Sequence, residues 1–273
     1  MTADTILERE VTDVLATVFD DASGPVYAVN PSRAAIGDIV TALGEHADPP
    51  TVRLLAADRL LKDVMDDFIV ASRAADLVDE GLLELKVLED APNHSLLVTG
   101  DSVVAVVDVG EQVAGLTTDD GDFVEGADDY YADEWERAEA YSLRTPPISQ
   151  VRETLESDIG PEAASDFEGV LASLQTARGD GDGLDEVTIS LLVAAKNGEL
   201  LYDISKWGED IGLASKATFS RTKTTLEDMG LIDTEKVPID VGRPRLRLML
   251  GDERLQGADT DELANVAQSM LAS

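Results

Sequence analysis

Cysteine is absent, and only two histidines, His46 and His94, occur among 273 residues. That excludes disulfides, thiolate nucleophiles and cysteine-based zinc modules, and it leaves too few imidazoles for a metal cluster. Lysine is scarce, seven residues against 14 arginines, and aromatic residues make up only 4% of the chain. There is no run of about 18 apolar residues and no cationic start ahead of an apolar segment. A membrane span and a secretory signal are therefore not expected, which makes the chain a cytoplasmic one. Nor is there a Ser/His/Asp set or a phosphate-cradling glycine loop, so no catalytic residue, cofactor site or metal site is expected and the chain does not read as an enzyme.

What the chain has in excess is acid. Asp and Glu number 56 against 21 Lys and Arg, a net charge of −35, yet 44% of residues are apolar and fall at folding periodicities. A disordered acidic tail lacks such periodicity, so we read a folded protein kept soluble in the salty cytoplasm of a halophile. The length allows more than one core, and two domains are expected. The charge is unevenly spread: Leu184 to Leu250 holds 11 acids and nine bases, and the remainder holds 45 and 12. From Leu213 to Leu226 there is no acid at all.

That acid-free stretch lies in a helix-turn-helix pattern. Ile204, Trp207 and Ile211 recur at helical spacing after Asp203, a candidate cap, and Gly212-Leu213 breaks the helix. A second helix follows from Lys216 to Met229. It places Phe219, Thr222, Leu226 and Met229 on one side and Ala217, Ser220, Arg221 and Thr224 on the other. Ser215 opens it, and Lys216 and Lys223 are expected to flank the polar side. Gly230 ends the helix, and a hairpin returns as Arg245-Leu246-Arg247-Leu248-Met249-Leu250, leucines alternating with arginines. Its turn, Val241-Gly242-Arg243-Pro244-Arg245, is an arginine-tipped wing.

A helix of small polar residues with basic flanks fits the major groove of double-stranded DNA, about 12 Å wide. Ala217, Ser220, Arg221 and Thr224 would face base edges, and Ser215, Lys216 and Lys223 would face phosphates. Arg243, Arg245 and Arg247 would reach the minor groove or backbone. Winged helices also serve as protein-binding adaptors, which stays as the alternative.

The run from Leu201 to Leu248 resembles the C-terminal region of the TbsP family, DNA-binding transcriptional regulators of halophilic archaea similar in layout to TrmB-type sugar-responsive regulators. The likeness extends over most of the chain. It implies a transcription factor acting on metabolic genes, those of central carbon flow, with a small-molecule effector acting through the N-terminal domain.

The N-terminal part alternates helix and strand. We expect an amphipathic helix over Thr5 to Phe19, a strand at Val26 to Val29, and a helix opened by Ser32. A strand at Val52 to Leu55 follows, then one helix carrying Leu60 through Phe68, and a strand at Leu82 to Leu88. Hairpin signals come next at Ser95 to Thr99, Val103 to Val109, Val113 to Thr117 and Phe123-Val124, with Asp119 to Asp122 as a turn. A helix from Asp128 to Tyr141 closes the domain. This order is similar to the effector domain of TrmB-type and FilR-type regulators, which looks like half of a phospholipase D fold. Phospholipase D chemistry needs His-x-Lys; here His94-Ser95-Leu96 lacks the lysine, and His94 reads as a structural, hydrogen-bonded residue.

Two helices, Ser149 to Ser157 and Glu162 to Thr176, read as a bracing linker. The Gly179 to Gly183 stretch offers oxygens at too few loop positions for calcium and reads as flexible. An apolar helix ending at Asn197 is the core of the winged module. The tail starts with an Asp259–Glu262 capping box and carries Leu263, Val266, Ala267, Met270 and Leu271 as a stripe, which either joins a homodimer or packs back on its own chain. The expected fold class is thus an α/β N-terminal domain, half phospholipase D-like with a mixed sheet, plus an α+β C-terminal winged helix-turn-helix. The expected domains are 1–145 for sensing or assembly, 146–183 as helical linker, 184–257 as winged helix and 258–273 as amphipathic helix.

Overall fold

The computed structural model describes residues 5–109, 112–174, 176–178, 184–239 and 244–272. They form two compact units: Met1–Asp66 with Arg73–Leu143, and Asp67–Ser72 with Arg144–Ser273.

The first unit runs β1 (Thr5–Glu8), α1 (Val11–Asp21), β2 (Val26–Val29), α2 (Arg33–Glu45), β3 (Val52–Ala56), α3 (Asp58–Val64), α4 (Phe68–Asp79) and β4 (Leu83–Val87). It continues with β5 (Leu96–Val98), β6 (Val103–Asp108), β7 (Val113–Thr118), α5 (Gly121–Arg137) and β8 (Glu139–Ala140). The eight strands make one mixed sheet in the order β1-β7-β6-β5-β2-β3-β4-β8. β2, β3 and β4 are parallel, as crossover helices require, and the strands joined by short turns pair antiparallel. Central β2 is buried at all four positions, so its sequence is continuously apolar and does not alternate. Ser32 caps α2 by accepting from the Ala35 amide at 3.1 Å.

Three expectations fail here. Thr5–Glu8 is a strand on β7, not the first turns of a helix, because pairing with Val113–Leu116 satisfies its backbone and puts Ile6 beside Gly115. The helix expected across Leu60 to Phe68 breaks in two, with buried Asp67 accepting from the Ile69 amide at 3.0 Å to start the second piece. Phe123-Val124 is helical: Asp120, expected in a hairpin turn, accepts from the Phe123 amide at 3.2 Å and caps α5.

The second unit contains α6 (Ile148–Asp158), α7 (Pro161–Ser173), α8 (Glu186–Lys196), α9 (Leu201–Asp210), α10 (Lys216–Asp228), β9 (Ile232–Val237), β10 (Arg245–Leu250), α11 (Glu253–Gln256) and α12 (Thr260–Leu271). Every residue of α8 from Val187 to Ala195 is buried, so it is the central rod of the core. One cluster joins Val151 and Leu155 of α6, Phe167 of α7, Trp207, Phe219, Leu248 and Leu263. The helices read as a linker therefore lie in the same core as the winged module. Asp67 belongs to this unit, where it accepts from the Ala177 amide and pairs with Arg178 at 3.4 Å.

The tail stripe is also spoken for. Leu263, Ala264 and Ala267 are fully buried, with Val266, Met270 and Leu271 packed against the cluster. This is the packing-back alternative, and the argument for a homodimer through a free stripe on this helix loses its basis. Its start is held by Thr260, which bonds to Lys196 and Asp166, while the Asp259 side chain forms no cap. Asn197 donates to the other Asp166 oxygen at 2.9 Å. Burial pushes the Asp166 carboxyl up, but the hydrogen bonds from Lys196, Thr260 and Asn197 outweigh it and hold it below the ordinary range.

Candidate nucleic-acid interface

Helices α9 and α10 meet at Gly212, whose φ of 79° suits a residue without Cβ. The first of them begins at Leu201 with Leu200 at the N-cap position, so Asp203 is not the cap and sits in the first turn. The crossing is close: a Cβ on Gly208 would lie 2.4 Å from two ring carbons of Phe219. Phe219 and Leu226 anchor α10 inward, and Ser215 caps it by accepting from the Thr218 amide at 3.1 Å. Gly230, at φ 76°, ends it.

With its inner side fixed, α10 exposes Ala217, Ser220, Arg221, Thr224 and Thr225, spaced by three and four residues. The Ser220, Arg221 and Thr224 readings thus fall on one row, and Thr225 joins it, legible as the residue one turn beyond Arg221. Thr224 and Thr225 donate to the Ser220 and Arg221 carbonyls, which orients both hydroxyls along the helix. The Arg221 side chain has no ion-pair partner among the described residues.

The lysines depart from the expected pattern. Lys223 is buried, 8% exposed, and donates at 2.7 Å to Glu227, which also accepts from Thr234. It was expected on the outer flank. Four residues after Phe219 and three before Leu226, it lies within about 60° of both around the helix, so its stem falls among the apolar anchors and it braces α10 against β9 instead of standing on the polar row. Lys216 is half-buried and held at 2.6 Å by Glu209, which also accepts from the Lys216 amide. These bonds draw the Glu209 carboxyl below its ordinary range and raise the Lys216 ammonium above its own. Lys206 pairs with Asp210 on α9.

In the hairpin, Arg245 lies opposite Val237 and Arg247 opposite Glu235, sharing the outer face, while Leu248 and Leu250 are buried behind. Leu200 adds an antiparallel bridge to Arg247. The Arg245 guanidinium stacks 4.2 Å from the Tyr202 ring centre and donates to Asp203 at 3.2 Å. The sequence offers Asp203 only as a cap and Tyr202 in no role, because Asp203 lies 42 residues from its arginine and nothing local links them. Arg243 lies outside the described residues.

In the first unit, His94 is 3.3 Å from the Tyr131 hydroxyl, the hydrogen-bonded position expected of it. Among the described residues no group of three or more His, Cys, Asp and Glu is arranged to hold a metal. No helix among them is long and apolar enough to cross a membrane.

Family models decide the assignment. Residues 147–268 match the C-terminal HTH domain of TbsP-like transcriptional regulators, and residues 3–146 match the N-terminal domain of the same regulators. The chain belongs to the TbsP-like transcriptional regulators. As a TbsP-like chain it carries its helix-turn-helix in the second unit and its mixed-sheet α/β fold in the first. No curated protein matches its sequence. Two solved structures are similar over part of it. TrmBL2, an archaeal chromatin protein whose structure shows a novel mode of DNA binding, is 18% identical with a TM-score of 0.36, over 50% of this chain and 54% of its own. Nuc from Salmonella typhimurium, a phospholipase D family member, is 10% identical with a TM-score of 0.34, over 50% of this chain and 99% of its own. This chain thus spans about half the length of TrmBL2, and neither likeness is close enough to bear on function.

Proposed function

We propose that this TbsP-like regulator reads double-stranded DNA through the exposed row of α10 and steadies itself on the backbone with the arginines of β10. Ser220, Arg221, Thr224 and Thr225 face base edges in the major groove, with Arg221 suited to a bidentate contact with guanine. Ser215 and Lys216 at the helix start, Arg245 and Arg247 on the hairpin, and Arg243 at the wing tip meet phosphates or the minor groove. The observation that carries this reading is the row itself: exposed, polar and free of acid from Ala217 to Thr225 in a chain of net charge −35.

The ion pairs support a further step. Lys206, Lys216, Lys223 and Arg245 are each compensated by a carboxylate of their own unit. At molar salt the Debye length is about 3 Å, so attraction to phosphate is weak in any case. Direct contacts, groove shape and hydration then carry the affinity, in keeping with a cytoplasm of high salt and a regulator of metabolic genes answering to a small-molecule effector bound by the first unit.

Footprinting on genomic fragments in molar KCl tests this. Arg221→Ala is expected to lose discrimination against mismatched sites, and Arg243→Ala to weaken protection beside the core site. Absence of protection by the wild type favours the protein-binding adaptor, and protection with discrimination that both variants leave intact rejects these residues as the contacts. Operator binding that becomes negligible at molar KCl rejects the salt-tolerant mode.

A further inference from the structure

The sheet of the first unit has two unlike edges. β8 closes one with only two residues, whereas β1 leaves the other with four residues that no further strand joins among the described residues. Residues directly opposite across a ladder share a face, so Leu7, Ala114 and Val107 form one row and Thr5, Leu116 and Ala105 the next. None of these six is charged. Leu7 is 71% exposed, Leu116 50% and Val107 40%, and Val109 just beyond β6 is 70% exposed. The charged neighbours Glu8 and Asp108 alternate to the opposite face, where Val14 of α1 packs over Gly115. An uncharged, exposed surface beside an open strand edge is out of keeping with a chain in which acids and bases together make up 28% of residues.

We propose that β1 is where a second copy of this chain pairs, the two β1 strands running antiparallel across a two-fold axis normal to the sheet. Charge selects this occupant. In molar salt the repulsion between copies of a chain with net charge −35 acts at contact range, and an uncharged patch placed against itself is the contact that avoids bringing carboxylates together. Symmetry then narrows the register, because a residue and its opposite must share a face. An axis at Glu8 would set two carboxylates side by side. An axis at Leu7 pairs the most exposed apolar residue with itself, Ile6 with the partner's Glu8, and Thr5 with the partner's Arg9. The apolar rows of the two copies become continuous across the joint. This interface is independent of the DNA-binding reading, since mass and thiol chemistry report it without DNA.

The full chain in molar KCl is the material for the test, with mass measured by sedimentation and light scattering. Wild type is expected as a dimer, Leu7→Glu as a folded monomer by circular dichroism, and Val78→Glu, a change at an exposed site outside the patch, as a dimer. Because the chain has no cysteine, Leu7→Cys carries a single thiol. Opposite Cα atoms in an antiparallel pair are about 4.5–5.5 Å apart, within disulfide reach, so oxidation should link Leu7→Cys into a covalent dimer and leave Val78→Cys unlinked. A monomeric wild type overturns the proposal, including the case in which a foreign strand occupies the edge. So does a dimer that Leu7→Glu leaves intact and Leu7→Cys fails to cross-link.

Discussion

The indole nitrogen of Trp207 donates to the Thr154 hydroxyl at 3.0 Å. Trp207 is a buried residue of α9, the first helix of the helix-turn-helix, and Thr154 lies on α6, which the sequence presents as part of a linker. The hydroxyl passes the bond on to the Gln150 carbonyl at 2.7 Å. The helix-turn-helix is thus held from behind by α6, a helix that falls within the family's C-terminal HTH domain, residues 147–268.

Thr154→Val keeps the shape of the side chain and leaves the indole N–H buried without a partner. A loss of about 1–3 kcal/mol is expected. Tryptophan fluorescence in a denaturant series reads it cleanly on a Trp135→Phe background, since Trp135 is in the first unit and Trp207 in the second. An unchanged midpoint would show the bond to be idle.

Gly208→Ala tests the approach of α9 to α10. Its Cβ would fall 2.4 Å from the Phe219 ring, so the buried ring or the helix that carries it must shift. Overpacking of this kind costs about 1–3 kcal/mol. DNA binding should fall more than stability alone explains, because α10 moves relative to the wing; Gly208→Ala with Phe219→Leu should recover part of both. Binding isotherms alongside thermal melts separate the two effects.

The two lysines of α10 should separate in salt titrations. Lys216→Met removes a surface charge at the helix start and is expected to flatten the plot of log K against log salt by about one unit. Lys223→Met removes a buried brace: the slope should stay as in wild type while the melting temperature drops, because Glu227 loses its main partner. Equal slopes for both variants would place Lys216 away from phosphate.

Acid should loosen the second unit through Asp166. Its folded pKa lies below the ordinary aspartate value of about 3.9, because hydrogen bonds from Lys196, Thr260 and Asn197 overcome the effect of burial. A depressed carboxylate contributes stability that is complete above the unfolded pKa and is lost as pH falls through the folded one. Asp166→Asn should therefore be less stable than wild type near neutrality, with the gap closing below about pH 3.9. Melting temperatures of both proteins across that range check the sign.

Several features were legible in the sequence because they are local. Ser32 and Ser215 as caps, Gly212 and Gly230 as breaks, the buried character of β2 and α8, and the polar row of α10 all follow from residue type and short-range period. The failures share a cause. Thr5–Glu8 looked helical because Leu7 and Val11 are four apart, yet the strand is decided by β7, more than 100 residues later in the chain. Lys223 looked exposed because it is charged, but helical phase set its stem among Phe219 and Leu226 and Glu227 satisfied its head.

By itself the sequence determined the number of units, the alternation of helix and strand, the acid-poor module and the family, since composition and periodicity act along the chain. Only the tertiary structure decided which helices share a core, which cations are already neutralised and which apolar faces stay uncovered. The tail stripe and the β1 face are both apolar in sequence; one packs into the core of the second unit, while nothing among the described residues covers the exposed Leu7 row, because burial depends on what the folded chain brings alongside.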